Sequence, residues 1–242
     1  TPLDKQAEPP NTAALKQEIG QRWADLELID ILKEVDLREH FSSLFRTSAS
    51  REVLESEVLQ RRLLLCLFGL GTNVGLKRIA SQQPRVNYDE LRYVKRRFIQ
   101  KDALRSAIAH IVNGVFRIRQ PAIWGNATTS CAADSRKFGA YDQNLMTEWH
   151  ARYGGRGVMI YWHVDTHSTC IYSQLRRCSS SEVAAMMEGV LRHCTDMEIN
   201  HQYVDSHGQS EVAFAFSDVL GFDLLPRLKA IASLCCKACK PR

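Results

Sequence analysis

Two aspartates in this chain have the type and setting for phosphate chemistry. Asp134 follows a short run of small and β-forming residues, 128–133, and Asp205 follows another, 198–204. If those two strands lie side by side, both carboxylates meet at one edge of a sheet, where ligands bind in open α/β folds. Two carboxylates held close repel each other unless a cation lies between them. Mg²⁺ suits such a pair, because it takes oxygen ligands and keeps water and phosphate partners. A pair of such ions activates a water and stabilises a leaving oxygen in phosphodiester cleavage. Aspartate also caps turns after strands, and the two residues alone leave both readings open.

The elements needed to position these groups can be read from residue spacing. Residues 1–11 are polar and proline-rich and read as a linker. From 12 to about 119 apolar residues recur at helical spacing, with helices expected near 53–70, 88–98 and 103–116. The pattern changes near Gln120-Pro121. Strands are expected over 128–133, 157–164, 169–175, 198–204 and 223–231. The turn between the second and third falls at 164–168, and helices are expected over 182–194 and 211–220. Strands alternating with helices imply a mixed α/β sheet with a parallel portion.

The 242 residues carry a net charge of +5, and it is unevenly spread. Residues 85–119 hold 9 Lys/Arg against 3 Asp/Glu, while 1–84 and 120–242 are close to neutral. Arg92, Lys95, Arg96, Arg97, Lys101 and Arg105 lie in this basic stretch. On a solvated helix they attract a polyanion such as DNA; the alternative is a helix face paired with nearby acids. Ordinary globular composition excludes a mainly disordered or fibrous chain. The longest apolar run, 63–70, is far shorter than the roughly 20 residues of a membrane span. The eight cysteines are too sparse for a disulfide scaffold. Only Cys236 and Cys239 have metal spacing, and no second pair follows, so zinc is not expected. Trp124, Trp149 and Trp162 are expected in the core.

Longer runs carry a resemblance. They include Arg61-Arg-Leu-Leu-Leu-Cys-Leu-Phe-Gly-Leu-Gly-Thr-Asn73, Asp89-Glu-Leu-Arg-Tyr-Val94 and Ala122-Ile-Trp-Gly-Asn126. Phe138-Gly-Ala-Tyr-Asp-Gln-Asn144, Tyr153-Gly-Gly-Arg-Gly-Val-Met-Ile-Tyr-Trp-His163, Asp205-Ser-His-Gly-Gln-Ser-Glu211 and Leu224-Leu-Pro-Arg-Leu228 complete them. Together they resemble the catalytic part of the DDE transposases of replicative class II transposons, the Tn-three family. The resemblance implies an RNase H-like mixed sheet over 120–231, incomplete at its C-terminal end, preceded by an all-helical region over 12–119. It implies a DDE triad holding two divalent ions, Mg²⁺ or Mn²⁺, that cleaves transposon ends and joins them to target DNA. Asp134 matches the first aspartate and Asp205 the second. The implied partners are DNA and other transposase copies, in the bacterial cytoplasm at the nucleoid, with no membrane contact.

The family's third carboxylate is a glutamate beyond the last strand, and residues 232–242 neither resemble the family nor contain an acid. The resemblance therefore implies a truncated transposase, inactive alone, or else a DNA-binding or interfering remnant. One sheet face is expected to stay partly uncovered. Arg136 and Lys137 stand next to Asp134 and are candidates to hold the scissile phosphate. His207 is a candidate to orient a metal-bound water. Glu211, about 9 Å along a helix from Asp205, is a candidate to support the site from outside the ligand set.

Overall fold

A computed structural model describes residues 7–22, 27–47 and 54–227, without the side chain of His207. Trp23, Ser50, the expected strand beyond Arg227 and Cys235, Cys236 and Cys239 lie outside the described residues. The chain divides into two compact units, residues 1–104 and 105–242.

The first unit is helical: α1 (Thr12–Arg22), α2 (Leu28–Glu39), α3 (Ser56–Gly71), α4 (Leu76–Gln82) and α5 (Tyr88–Arg97), with a 3₁₀ turn at Phe41–Leu44. Its core contains Phe41, Leu63, Leu91, Val94 and Phe98. Asp36 is fully buried there, yet satisfied: it accepts from the Ser42 backbone at 2.7 Å and the Gln60 amide at 2.6 Å. A buried carboxylate is tolerated only with such partners. Asn87 starts α5 through a reciprocal box with Glu90, at 2.9 and 3.0 Å. Leu91 and Val94 then face inward, and the basic residues of the helix face out.

Helix α6 (Lys101–Ile118) crosses the boundary between the units. The change in sequence character near Gln120 comes later than the boundary. The reason is packing: Val112 and Phe116 of α6 share a cluster with Cys131, Ile171, Tyr172 and Met197.

The second unit adds α7 (Pro121–Trp124), β1 (Ser130–Gly139), β2 (Glu148–Trp149), β3 (Arg156–Asp165), β4 (Cys170–Arg176), α8 (Glu182–Arg192), β5 (His201–Val204), α9 (Glu211–Leu220) and β6 (Asp223–Pro226). β1 pairs antiparallel with β3 and parallel with β5, and β5 pairs parallel with β6. β4 and the short β2 both pair with β3. This is the RNase H-like mixed sheet that the resemblance implies. Alternation along the strands sends Ala133, Tyr161, Val204 and Leu224 into a core with Ala185 and Met186 of α8 and Ala213 of α9. Among the alternate residues, Phe138, Leu175, Tyr203 and Leu225 are exposed.

Several local expectations change. Thr128 and Thr129 precede β1, and the strand runs on to Gly139 because β3 pairs with its whole length. Asp134 is therefore inside a strand rather than after one. Trp124 and Trp149 are 52% and 66% exposed, so neither is core. The β3–β4 turn is held by Asp165, whose carboxylate accepts from His167 and Thr169 backbone N–H groups at 3.0 and 2.7 Å. Ser168 takes the left-handed conformation there, at φ 65°. The other carboxylate oxygen of Asp165 accepts from Arg119 at 2.6 Å, tying the segment after α6 to the hairpin.

Candidate active site

The parallel pairing of β1 with β5 ends at Ala133 opposite Val204. Asp134 and Asp205 are the next residue on each strand. One continues along β1 beside β3; the other leaves the sheet at the end of β5 and enters a 3₁₀ turn, Ser206–Gly208. That turn folds back over the strand it leaves: a Cβ on Gly208 would stand 2.3 Å from Val204 Cγ2. Only glycine permits this approach, so Gly208 helps fix where Asp205 sits.

Asp134 and Asp205 line the same small cavity of about 10 Å³ together with Glu182. The space suits about one water-sized species. A larger cleft of about 450 Å³ includes the same three carboxylates. Glu182 opens α8, where Ser181 caps the helix by accepting from Ala184 N–H at 3.4 Å. Ser135 joins the acids: its hydroxyl donates to Glu182 Oε1 at 2.6 Å, and its backbone N–H donates to Asp134 Oδ1 at 2.7 Å. Beneath them lies Tyr161. Burial chiefly, with the Glu182 and Asp134 carboxylates adding to it, pushes its phenol well above the usual range. It stays neutral and serves as floor rather than as base.

Hard carboxylate oxygens around a water-sized space fit a divalent cation in donor chemistry. The fit is that of an open site. Among the described residues no group of three His, Cys, Asp or Glu side chains is arranged to hold one ion.

The sequence-predicted residues divide. Asp134 and Asp205 come together. Glu211 is exposed at the start of α9, and the 3₁₀ turn replaces the continuous helix assumed between it and Asp205. Lys137 Nζ donates to the Gly154 carbonyl. Arg136 is exposed on β1. In the helical unit Arg92, Lys95, Arg96, Arg97 and Lys101 are all exposed, and Arg92, Arg96 and Arg97 line a groove with Tyr93 and the acid Asp89. Arg105 is engaged instead, with Nη2 donating to the Tyr172 hydroxyl at 2.8 Å and its guanidinium over that ring. Sequence reasoning missed Glu182, Ser135 and the loop of Trp149, His150, Arg152 and Tyr153 that lines the larger cleft. The cap at Ser181 ahead of an apolar helix could have flagged Glu182.

A family model described as the Tn3 transposase DDE domain matches residues 30–241. The chain belongs to that family. The match takes in residues 232–241, which the residues alone set apart. Similar proteins include the transposase for transposon Tn1546 of Enterococcus faecium, 27% identical over 209 residues, covering 86% of this chain and 21% of that protein. The transposase for transposon Tn501 of Pseudomonas aeruginosa is 27% identical over 232 residues, covering 95% of this chain and 23% of that protein. The chain thus spans about a fifth of the length of the curated relatives it matches. Among solved structures, a piggyBac transposase synaptic complex with hairpin DNA aligns with 13% identity and TM-score 0.40, covering 86% of this chain and 49% of that one. A Mos1 transposase paired-end complex aligns with 10% identity and TM-score 0.28, covering 91% and 74%. Superpositions at this level carry no inference. Membership of a DDE family implies use of a divalent metal. Among the described residues no helix is long and apolar enough to cross a membrane.

Proposed function

We propose that this chain carries the two-aspartate part of a transposase centre for DNA strand cleavage and strand transfer at transposon ends. The observation that supports it is the placement of Asp134 and Asp205 on adjacent parallel strands, one residue past their last shared pair, around one water-sized cavity. Asp134 and Asp205 would hold Mg²⁺ or Mn²⁺, which when bound supplies charge neutralisation and an activated oxygen nucleophile. The chain's own residues do the positioning. Ser135 restrains Asp134 through its N–H and Glu182 through its hydroxyl. Gly208 permits the turn that presents Asp205.

Among the described residues no three such side chains are arranged around one ion, and on this reading Asp134 and Asp205 are the pair that cleavage depends on. Incubating it with a supercoiled plasmid bearing transposon ends, with and without Mn²⁺, tests the reading. Slow metal-dependent nicking that vanishes in Asp134→Asn and in Asp205→Asn supports it. Nicking that survives both substitutions sinks it.

A second reading rests on α5. Its exposed Arg92, Lys95, Arg96 and Arg97 favour phosphate contacts independent of cleavage. On that reading the chain binds DNA, or joins other transposase copies and interferes with them. DNA binding that needs no metal and falls steeply with salt, without nicking, would select it.

A further inference from the structure

The larger cleft is lined by a hairpin as well as by the three carboxylates. The hairpin joins β2 and β3; Trp149 pairs with Arg156 and residues 150–155 make the turn. This turn is built to hold its shape. His150 N–H donates to the Gly155 carbonyl at 3.1 Å, closing the loop. Gly154 and Gly155 supply the left-handed backbone, at φ 60° and 74°. Lys137 ties the Gly154 carbonyl to β1. At its base Glu148 accepts from the Ser179 backbone and hydroxyl at 3.0 and 2.7 Å. These bonds, the hydroxyl first, hold the Glu148 carboxyl below its usual range.

On this braced frame the side chains are aromatic and basic. Tyr153 N–H donates to His150 Nδ1 at 3.2 Å, which places the imidazole proton of the neutral ring on Nε2. The His150 and Tyr153 rings pack at a tilt of 39° with centroids 4.6 Å apart, and the Arg152 guanidinium sits 5.3 Å from the Tyr153 ring centroid. Trp149 and Tyr153 are 66% and 55% exposed. Two large rings left in water beside a cleft, with a cation among them, match what holds single-stranded nucleic acid: π-faces for bases and positive charge for the backbone. A duplex hides its base faces, so rings of this kind act on a strand whose bases are unstacked.

We propose that the Trp149–Gly155 hairpin is a strand clamp. Trp149 and Tyr153 stack on unpaired bases of a DNA strand lying in the cleft, and Arg152 takes a phosphate of the same strand. The clamp deepens the proposed function and rests on it, since it gives a role to other residues lining the same cleft. It separates the roles of the chain's basic groups: α5 serves phosphates without regard to pairing, while the hairpin selects unpaired bases.

The test uses the full chain and a fluorescent single-stranded oligonucleotide of about 16 nucleotides, with a blunt duplex of the same sequence as comparison. Binding is read by anisotropy and by quenching of tryptophan emission. Trp149→Ala and Tyr153→Ala should each weaken single-strand binding roughly tenfold and leave duplex binding nearly unchanged. Trp149→Phe, which keeps a ring, should retain most of the affinity. Trp149→Ala should also abolish the quenching. Arg152→Gln should lower the salt slope on the single strand by about 0.7. Unfolding curves matching the native chain show that the variants are folded. If the native chain binds the single strand and the variants bind it equally well, the clamp is wrong and the cleavage reading stands. If the native chain binds neither DNA, both fail.

Discussion

His163 sits in the core beneath the candidate active site, and its titration makes a quantitative prediction. It is on β3, directly paired with Ala133, and is fully buried. Its Nε2 is 3.0 Å from the Met186 carbonyl and donates to it, while Nδ1 is buried with no partner. The rings of Tyr161 and Tyr172 flank it, and His193, the C-cap of α8, acts on it electrostatically. A second proton would have to sit on Nδ1, where nothing accepts it. Burial, opposed only in part by the Met186 bond and reinforced by His193, lowers the imidazole from 6.5 to about 4. A depressed folded value means that the unfolded chain takes the proton first. The stabilisation is complete above pH 6.5 and is lost as pH falls toward 4. Linkage makes the loss about 2 kcal/mol between pH 7 and pH 5, and about 3 kcal/mol by pH 4. The perturbation is His163→Gln, which keeps a donor for Met186 and removes the titration. Urea unfolding followed by circular dichroism at pH 7 and pH 5 is the assay. The native chain should lose about 2 kcal/mol more than the variant over that interval. Equal losses in the two proteins would refute the reasoning, and with it the view that this imidazole is neutral for want of a partner.

Other outcomes follow from the same structure. Asp165→Ala removes the acceptor for two backbone N–H groups and, among the described residues, the one carboxylate paired with a largely buried Arg119, whose side chain is 14% exposed and keeps Thr169 as an acceptor; the cost should be about 3 kcal/mol, read as a lowered Tm. Gly208→Ala drives a Cβ into Val204, so it should cost about 1–3 kcal/mol and reduce metal-dependent nicking by displacing Asp205. Arg92→Gln combined with Arg96→Gln removes two exposed cations from α5. The slope of log affinity against log salt for duplex DNA should fall by about 1.8, while nicking per bound complex is unchanged.

Much of this protein was legible in its residues because the signals were local. The alternation in β3 and β4 and the apolar periodicity of α3, α5, α8 and α9 are properties of neighbouring residues. The order strand, strand, strand, helix, strand, helix, strand constrained the sheet, and it put the strands before Asp134 and Asp205 side by side. Other features were settled only when distant segments met. β1 runs past Asp134 because β3 offers it partners along its whole length, and nothing within residues 130–139 encodes that pairing. Arg105 and Lys137 read as free cations in sequence, yet Tyr172 lies 67 residues from the first and Gly154 lies 17 from the second. Trp149 was read as core from its type, but an edge hairpin carries it into water. Glu182 is separated from Asp134 by three strands and the turns between them. Sequence determines which residues can serve as ligands, rings or cations. Which of them share a cleft depends on strand order and on what each turn permits, and these are settled by burial of the whole apolar set at once.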